Sequence, residues 1–412
     1  MSIIKRADIY QVVLYAAFSR LSLFLISAIA AYYLTASEYG IFSYVLVGVS
    51  GIAALSSMGI GVTCNTVTAS WRCDDPERMV SSIVWVFLLS ASLVLALSAV
   101  FIAFASRDVF IFNGWAVYAY LSVCCLLMIL YGGAEGILYG ADGLKDMAFY
   151  SIIFFPLVIV GSLLMMAIFG FLGAIFSIIF LRFMNLSWIL TLASKLWPRV
   201  PIRPALKTKA RMARDDIAKI ALPIGGAAML SGPLASLSIF IMERNVGMEG
   251  VASFAFVYQY YVLSVFLPGV IGNVLISRFS SKRDRGKKVF IISLGAVVFY
   301  SFFVFSGFFL LSLLSSYLAP NIKFENGVAF FLALAAVFYC GSAVFHSYWA
   351  ANQKGVFVLG AQATFSCFVL WGAIIAKNVD MVAMSFFVGA IGQYLANSYL
   401  WVKWRRRCDL AT

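Results

Sequence analysis

Three ionisable side chains stand deep inside long apolar runs, where an uncompensated charge costs at least ~2.5–3.5 kcal/mol: Arg20, Glu135 and Arg182. A fourth candidate, His346, lies at the inner end of another run. Each must face protein or water, so each marks a candidate site. Arg20 shares a helical face with Ala16, Ser27 and Ala31, whose small side chains leave room for a guanidinium and its ligand. Two readings follow for it: a cavity cation for an anionic head group, or a buried partner of Glu135 that fixes helix packing. Arg182, with Asn185 one turn on, divides the same way between cavity cation and structural partner. Glu135 lies on one stripe with Tyr131, Tyr139 and Asp142, spaced four, four and three. That stripe suits a polar vestibule or a proton site, and equally a packed network. His346, followed by Tyr348, Asn352 and Gln353, suits interfacial hydrogen bonding or a proton relay.

The elements that position these residues are membrane helices. The 412 residues are 63% hydrophobic and 11% charged, against ~45–50% and ~25% in soluble domains, so lipid must solvate much of the surface. Reading with a ruler of ~20 apolar residues gives runs at 9–34, 40–66, 79–105, 114–140, 148–170 and 172–194. After a polar interruption come 217–242, 251–277, 289–318, 328–351, 356–376 and 381–402. The expected fold is therefore all-α and polytopic, with about twelve spans. The run after Lys5 and Arg6 is too long for a secretory leader and is expected to stay as the first span.

The net charge of +13 sits in short connections, which points to orientation signals and away from nucleic acid. About 24 basic residues fall on one side and about 4 on the other, so both termini are expected in the cytoplasm. The stretch 195–216 carries Lys195, Arg199, Arg203, Lys207, Lys209, Arg211 and Arg214 with Pro198, Pro201 and Pro204. It reads as an extended cytoplasmic tether between an N-lobe, 1–194, and a C-lobe, 217–412. Glu38-Tyr39-Gly40 after the first span is echoed by Glu249-Gly250-Val251 after the seventh. A parallel repeat of two six-helix lobes around a central cavity would produce that echo. Pro223, Gly225, Gly226, Gly232 and Pro233 in the seventh span and Pro268 in the eighth are candidate hinges, although both residue types are common in membrane helices. Lys219 is expected only to snorkel.

Catalytic signatures are lacking. The chain has no GxxxxGK[ST], HExxH or GxSxG, and its seven scattered cysteines and single histidine do not form a zinc pattern. The expectation is no enzyme, no cofactor and no metal.

Glu38-Tyr39-Gly40-Ile41-Phe42-Ser43, Glu135-Gly136-Ile137-Leu138-Tyr139-Gly140 through Lys145, and Ala350-Ala351-Asn352-Gln353-Lys354-Gly355, set in a six-plus-six frame with a basic central loop, resemble the polysaccharide-biosynthesis or O-antigen flippase family. That family belongs to the multidrug/oligosaccharidyl-lipid/polysaccharide (MOP) exporter superfamily. The resemblance implies a MATE-like fold in the bacterial inner membrane and transfer of an undecaprenyl-diphosphate-linked oligosaccharide between leaflets by alternating access. It implies polysaccharide polymerase and chain-length proteins as partners beside the lipid bilayer. Arg20 and Arg182 would then meet the diphosphate, and Glu135, Asp142 or His346 would line the vestibule or couple an ion. A multidrug or cation antiporter of the same superfamily is the alternative, and would be expected to carry cavity carboxylates.

Overall fold

The computed structural model describes residues 6–57, 59–104, 114–141, 143–198, 200–218, 230, 232–280, 286–351 and 354–411. Within these ranges some side chains, Arg20 among them, are outside the description. All regular structure in the described residues is helical. The elements are α1 (Arg6–Tyr33), α2 (Ala36–Ser56), α3 (Ile60–Trp71), α4 (Pro76–Phe104), α5 (Gly114–Gly140), α6 (Leu144–Leu196), α7 (Ile202–Thr208), α8 (Ala210–Asp216), α9 (Gly232–Ser280), α10 (Gly286–Leu318), α11 (Asn326–Ala351), α12 (Gly355–Ile375) and α13 (Val379–Ala411). This is an all-α polytopic membrane fold. Its outer faces carry the apolar load: Phe302 is 72% exposed and Ile168 68%, an arrangement that only lipid makes favourable.

Two elements are hairpins. In α6 the chain turns at Gly170 (φ 55°, ψ −128°), and in α9 at Gly247 (φ 74°, ψ 178°), left-handed backbone that glycine adopts without a Cβ penalty. The arms of α6, 144–169 and 171–196, lie so close that a Cβ on Gly173 would sit 1.9 Å from the Met165 carbonyl oxygen. These arms match the fifth and sixth expected spans. The expected second span, 40–66, is instead divided. α2 ends at Ser56 and α3 begins at Ile60, after Gly59 in the left-handed region (φ 65°).

The chain forms two compact units. Unit 1 comprises 1–18 and 45–236, and unit 2 comprises 19–44 and 237–412. In unit 1, α5 packs on α3, α4 and α6, while α4 also holds α7 and α8. A glycine stripe makes the α3–α5 seam: a Cβ on Gly136 would lie 2.1 Å from the Gly61 carbonyl oxygen, and one on Gly140 2.5 Å from that of Asn65. Small residues four apart allow such backbone contact between membrane helices. In unit 2, α13 packs on α11 and α12, and α11 on α10, around Val289, Phe345, Trp349, Tyr394 and Trp401.

Glu38-Tyr39-Gly40 opens α2 and is not a connecting loop. Thr35 and Glu38 form a capping box: Glu38 Oε2 accepts from the Thr35 amide (3.0 Å) and hydroxyl (2.9 Å), and the Glu38 amide reaches Thr35 Oγ1 (3.4 Å). The buried Tyr39 and Ser27 hydroxyls bond at 2.8 Å. Gly40 abuts the carbonyl of Met248, the residue before the second copy of the echo, within unit 2.

The extended tether expected at 195–216 is folded as α7 and α8. Pro201 caps α7 and Pro204 falls in its first turn, where a missing N–H breaks no helical bond. Acid–base pairs dock both helices on α4. Arg78 gives Asp216 two hydrogen bonds (3.0 and 2.6 Å), Ser82 adds a third at 2.9 Å, and Lys209 reaches Asp75 at 3.0 Å. Asp75 also caps α4, accepting from the Arg78 amide at 3.2 Å ahead of Pro76. Burial opposes its charge, but the Lys209 ammonium and the Arg78 amide outweigh that and hold its carboxyl below the ordinary aspartate value.

Candidate functional site

Unit 1 gathers three of the expected elements. On α5 the stripe Tyr131, Glu135 and Tyr139 faces α1, where Tyr15 closes it. The Tyr15 and Tyr131 hydroxyls are hydrogen-bonded to each other, and the Tyr15 and Tyr139 rings meet edge-on at 6.4 Å. Tyr15 also meets Trp188 of α6 edge-on at 6.1 Å, and Trp188 stacks on Tyr150 at 6.1 Å and 6°. The half-buried Glu135 carboxylate is electrostatically coupled to Tyr15. The result is a carboxylate beside the Tyr15 phenol, which in turn packs on the Trp188 indole, so the cluster draws on three helices. Among the described residues the buried Trp188 indole N–H has no acceptor.

Arg182 stands near the middle of the second arm of α6 and is half-buried. Its guanidinium acts electrostatically on Tyr120, Cys124 and Cys125 of α5. The Tyr120 hydroxyl donates to the Ile175 carbonyl at 2.8 Å and so ties α5 to the same arm. The next residue, Phe183, lines an apolar cleft of about 330 Å³ between the arms of α6, with Met165, Phe169, Phe176, Ile179 and Phe180.

His346 lies in unit 2, near the end of α11, in a neutral layer. The Trp349 indole N–H donates to Asn397 Oδ1 (3.2 Å), and Asn397 Nδ2 donates to the Gln393 carbonyl (3.0 Å). A donor-only and an acceptor-only neighbour thus fix the Asn397 amide. Its NH2 faces His346 Nε2 at 3.4 Å, as does that of Gln393, whose Nε2 donates to Gln362 Oε1 at 2.7 Å. His346 Nε2 accepts in this arrangement, which assigns the proton of the neutral ring to Nδ1. The layer joins α11, α12 and α13.

The remaining expected residues are placed as follows. The Arg20 side chain, Asp142, Pro223, Gly225, Gly226, Lys219, Asn352 and Gln353 lie outside the described residues. Pro233 stands in the first turn of α9, and Pro268 is buried in its second arm. The structure brings Glu135, Tyr131 and Tyr139 together, and places Arg182 on the neighbouring helix. Tyr15, Trp188, Gln362, Gln393 and Asn397 were not singled out by sequence reasoning. The aromatic residues lacked a local partner at helical spacing, whereas the amides at 393 and 397, four apart, carried a readable signal.

No protein-family model matches the chain, and no curated protein matches it by sequence. Its fold is that of solved MOP-type transporters. A lipid II flippase, MurJ, in an inward closed conformation aligns with TM-score 0.70 at 14% identity, covering 93% of this chain and 85% of that one. A mutant of the Vibrio cholerae MATE transporter VcmN aligns with TM-score 0.67 at 14% identity, over 97% of both chains. An inward-facing multidrug-resistance MATE transporter of the MOP superfamily gives 0.64 at 16%, covering 96% of this chain and 98% of that one.

Proposed function

We propose that the chain is a MOP-superfamily flippase of the O-antigen type. It would carry an undecaprenyl-diphosphate-linked oligosaccharide across the bacterial inner membrane by alternating access, with both termini in the cytoplasm and its two lobes at 1–194 and 217–412. The observation that carries this reading is Arg182. A guanidinium within a membrane arm and beside Tyr120 offers charge-assisted hydrogen bonds to a dehydrated diphosphate. Arg20 would add a second cation. Glu135 is the proposed coupling residue.

One observation favours the antiporter reading. A carboxylate beside the Tyr15 phenol, in a cluster with Tyr131, Tyr139 and, behind Tyr15, Trp188, matches the way organic cations are recognised. Reconstitution separates the two. Proteoliposomes holding the chain and a fluorescent undecaprenyl-diphosphate sugar should expose the label to a membrane-impermeant quencher faster than empty vesicles, while an imposed proton gradient should not concentrate a cationic dye. Dye accumulation with no lipid transfer would replace the flippase by the antiporter. Neither activity would remove both.

A further inference from the structure

The sequence 202–216 carries five basic residues against two acidic ones, and folding sharpens that excess on its outer face. Asp216 is turned inward onto Arg78 and Ser82, and Asp75 and Glu77 of the α4 start are engaged by Lys209 and Thr208. Ala205 and Ala213 are buried, forming the inward face. What remains outside is almost wholly cationic: Arg203, Lys207, Arg211 and Arg214 are exposed, against Asp215 alone among the acids of these two helices. Two apolar side chains stand among the cations, Ile202 at 46% and Met212 at 43% exposure.

The height of this surface is fixed by its anchors. α7 and α8 are pinned to the first turns of α4 and follow directly from the end of the second arm of α6, the places where two membrane spans begin and end. Short helices held at that level meet lipid head groups before they meet bulk water. A cationic face with scattered apolar side chains fits an anionic leaflet: the charges answer the phosphates, and the apolar residues reach the boundary with the acyl chains. The charges on the inward face are already paired, so the outer set is uncompensated within its own segment.

We propose that α7 and α8 form a binding surface for anionic phospholipid head groups, through Arg203, Lys207, Arg211 and Arg214 with Ile202 and Met212 as shallow apolar contacts. The surface does not depend on what the protein transports.

The test uses the full chain in nanodiscs of phosphatidylcholine alone or with roughly a third phosphatidylglycerol, read by hydrogen–deuterium exchange of peptides covering 202–216. Exchange should be several-fold slower in the anionic discs, and high salt should reverse the difference. The quadruple variant R203Q/K207Q/R211Q/R214Q should lose the difference, while its α4 peptides exchange as in the unaltered protein. Ile202→Ser with Met212→Ser should reduce it in part. Equal exchange in both discs would overturn the proposal. So would a slowing that survives in the quadruple variant, because the anionic lipid would then act elsewhere.

Discussion

Unit 1 and unit 2 both bury polar groups among membrane helices, yet they bury different kinds. Unit 1 places a carboxylate, Glu135, and a guanidinium, Arg182, on adjacent helices among tyrosines and a tryptophan. Unit 2 places His346, Gln362, Gln393 and Asn397 in a neutral ladder that joins three helices through amide hydrogen bonds. Neutral amides in lipid glue helices at modest cost. Formal charges there cost more, at least ~2.5–3.5 kcal/mol each if uncompensated, and so mark candidate sites. Under the proposed function the difference is a division of labour: charge would mark where a ligand is handled, and neutral polarity where helices are held.

That contrast is open to breakage, most severely at the charges. Arg182→Ala should lower lipid transfer by about 10- to 100-fold, the scale of a lost charge-assisted hydrogen bond, with the amount of folded protein unchanged by size-exclusion chromatography. Transfer at the normal rate would make Arg182 a packing residue and erase the contrast. Asn397→Leu tests the other side. It leaves the buried Trp349 indole N–H without its acceptor, at roughly 1–3 kcal/mol, so the melting temperature should fall by several degrees while transfer per folded molecule persists. Loss of transfer at unchanged melting temperature would move the ladder into the mechanism.

Glu135→Gln sharpens the comparison more gently. The slope of transfer rate against pH should flatten, with about a threefold change or less at neutral pH, whereas the same series for His346→Gln should keep its slope. The smallest effect is expected outside the bilayer. Because the Asp75 carboxyl is held below its ordinary value, its contribution to docking of α8 is complete at neutral pH and is lost only as pH falls through that depressed value. The protection factors of 209–216, with the intrinsic pH dependence of amide exchange divided out, should therefore be flat between neutral and mildly acidic pH and fall only in strong acid.

Much of this architecture was legible in the chain. Apolar run lengths mark most spans, including the two arms of α6, because a lipid solvent leaves helix as the only option. The Tyr131–Glu135–Tyr139 stripe was legible for the same local reason, its spacing matching one helical face. The break at Gly59 was not, since an apolar run looks alike whether or not one residue turns left-handed within it. The folding of 202–216 was missed because prolines were read as keeping the chain extended, although at a cap and in a first turn they start helices. Thr35 and Glu38 already spelled a capping box. Tyr15 and Trp188 could not be read at all: what brings Tyr15 to Glu135, and Trp188 to Tyr15, is packing between helices far apart in the sequence.

The glycine turn between the arms of α6 has a practical use. A Cβ built at Gly170 would meet nothing within 4 Å, so a short epitope grafted beside it, with Gly170 itself kept for its positive φ, would displace no neighbour. Antibody staining of intact against permeabilised cells would then read out directly which face of the bilayer that apex occupies, and the sidedness of every other connection would follow by alternation.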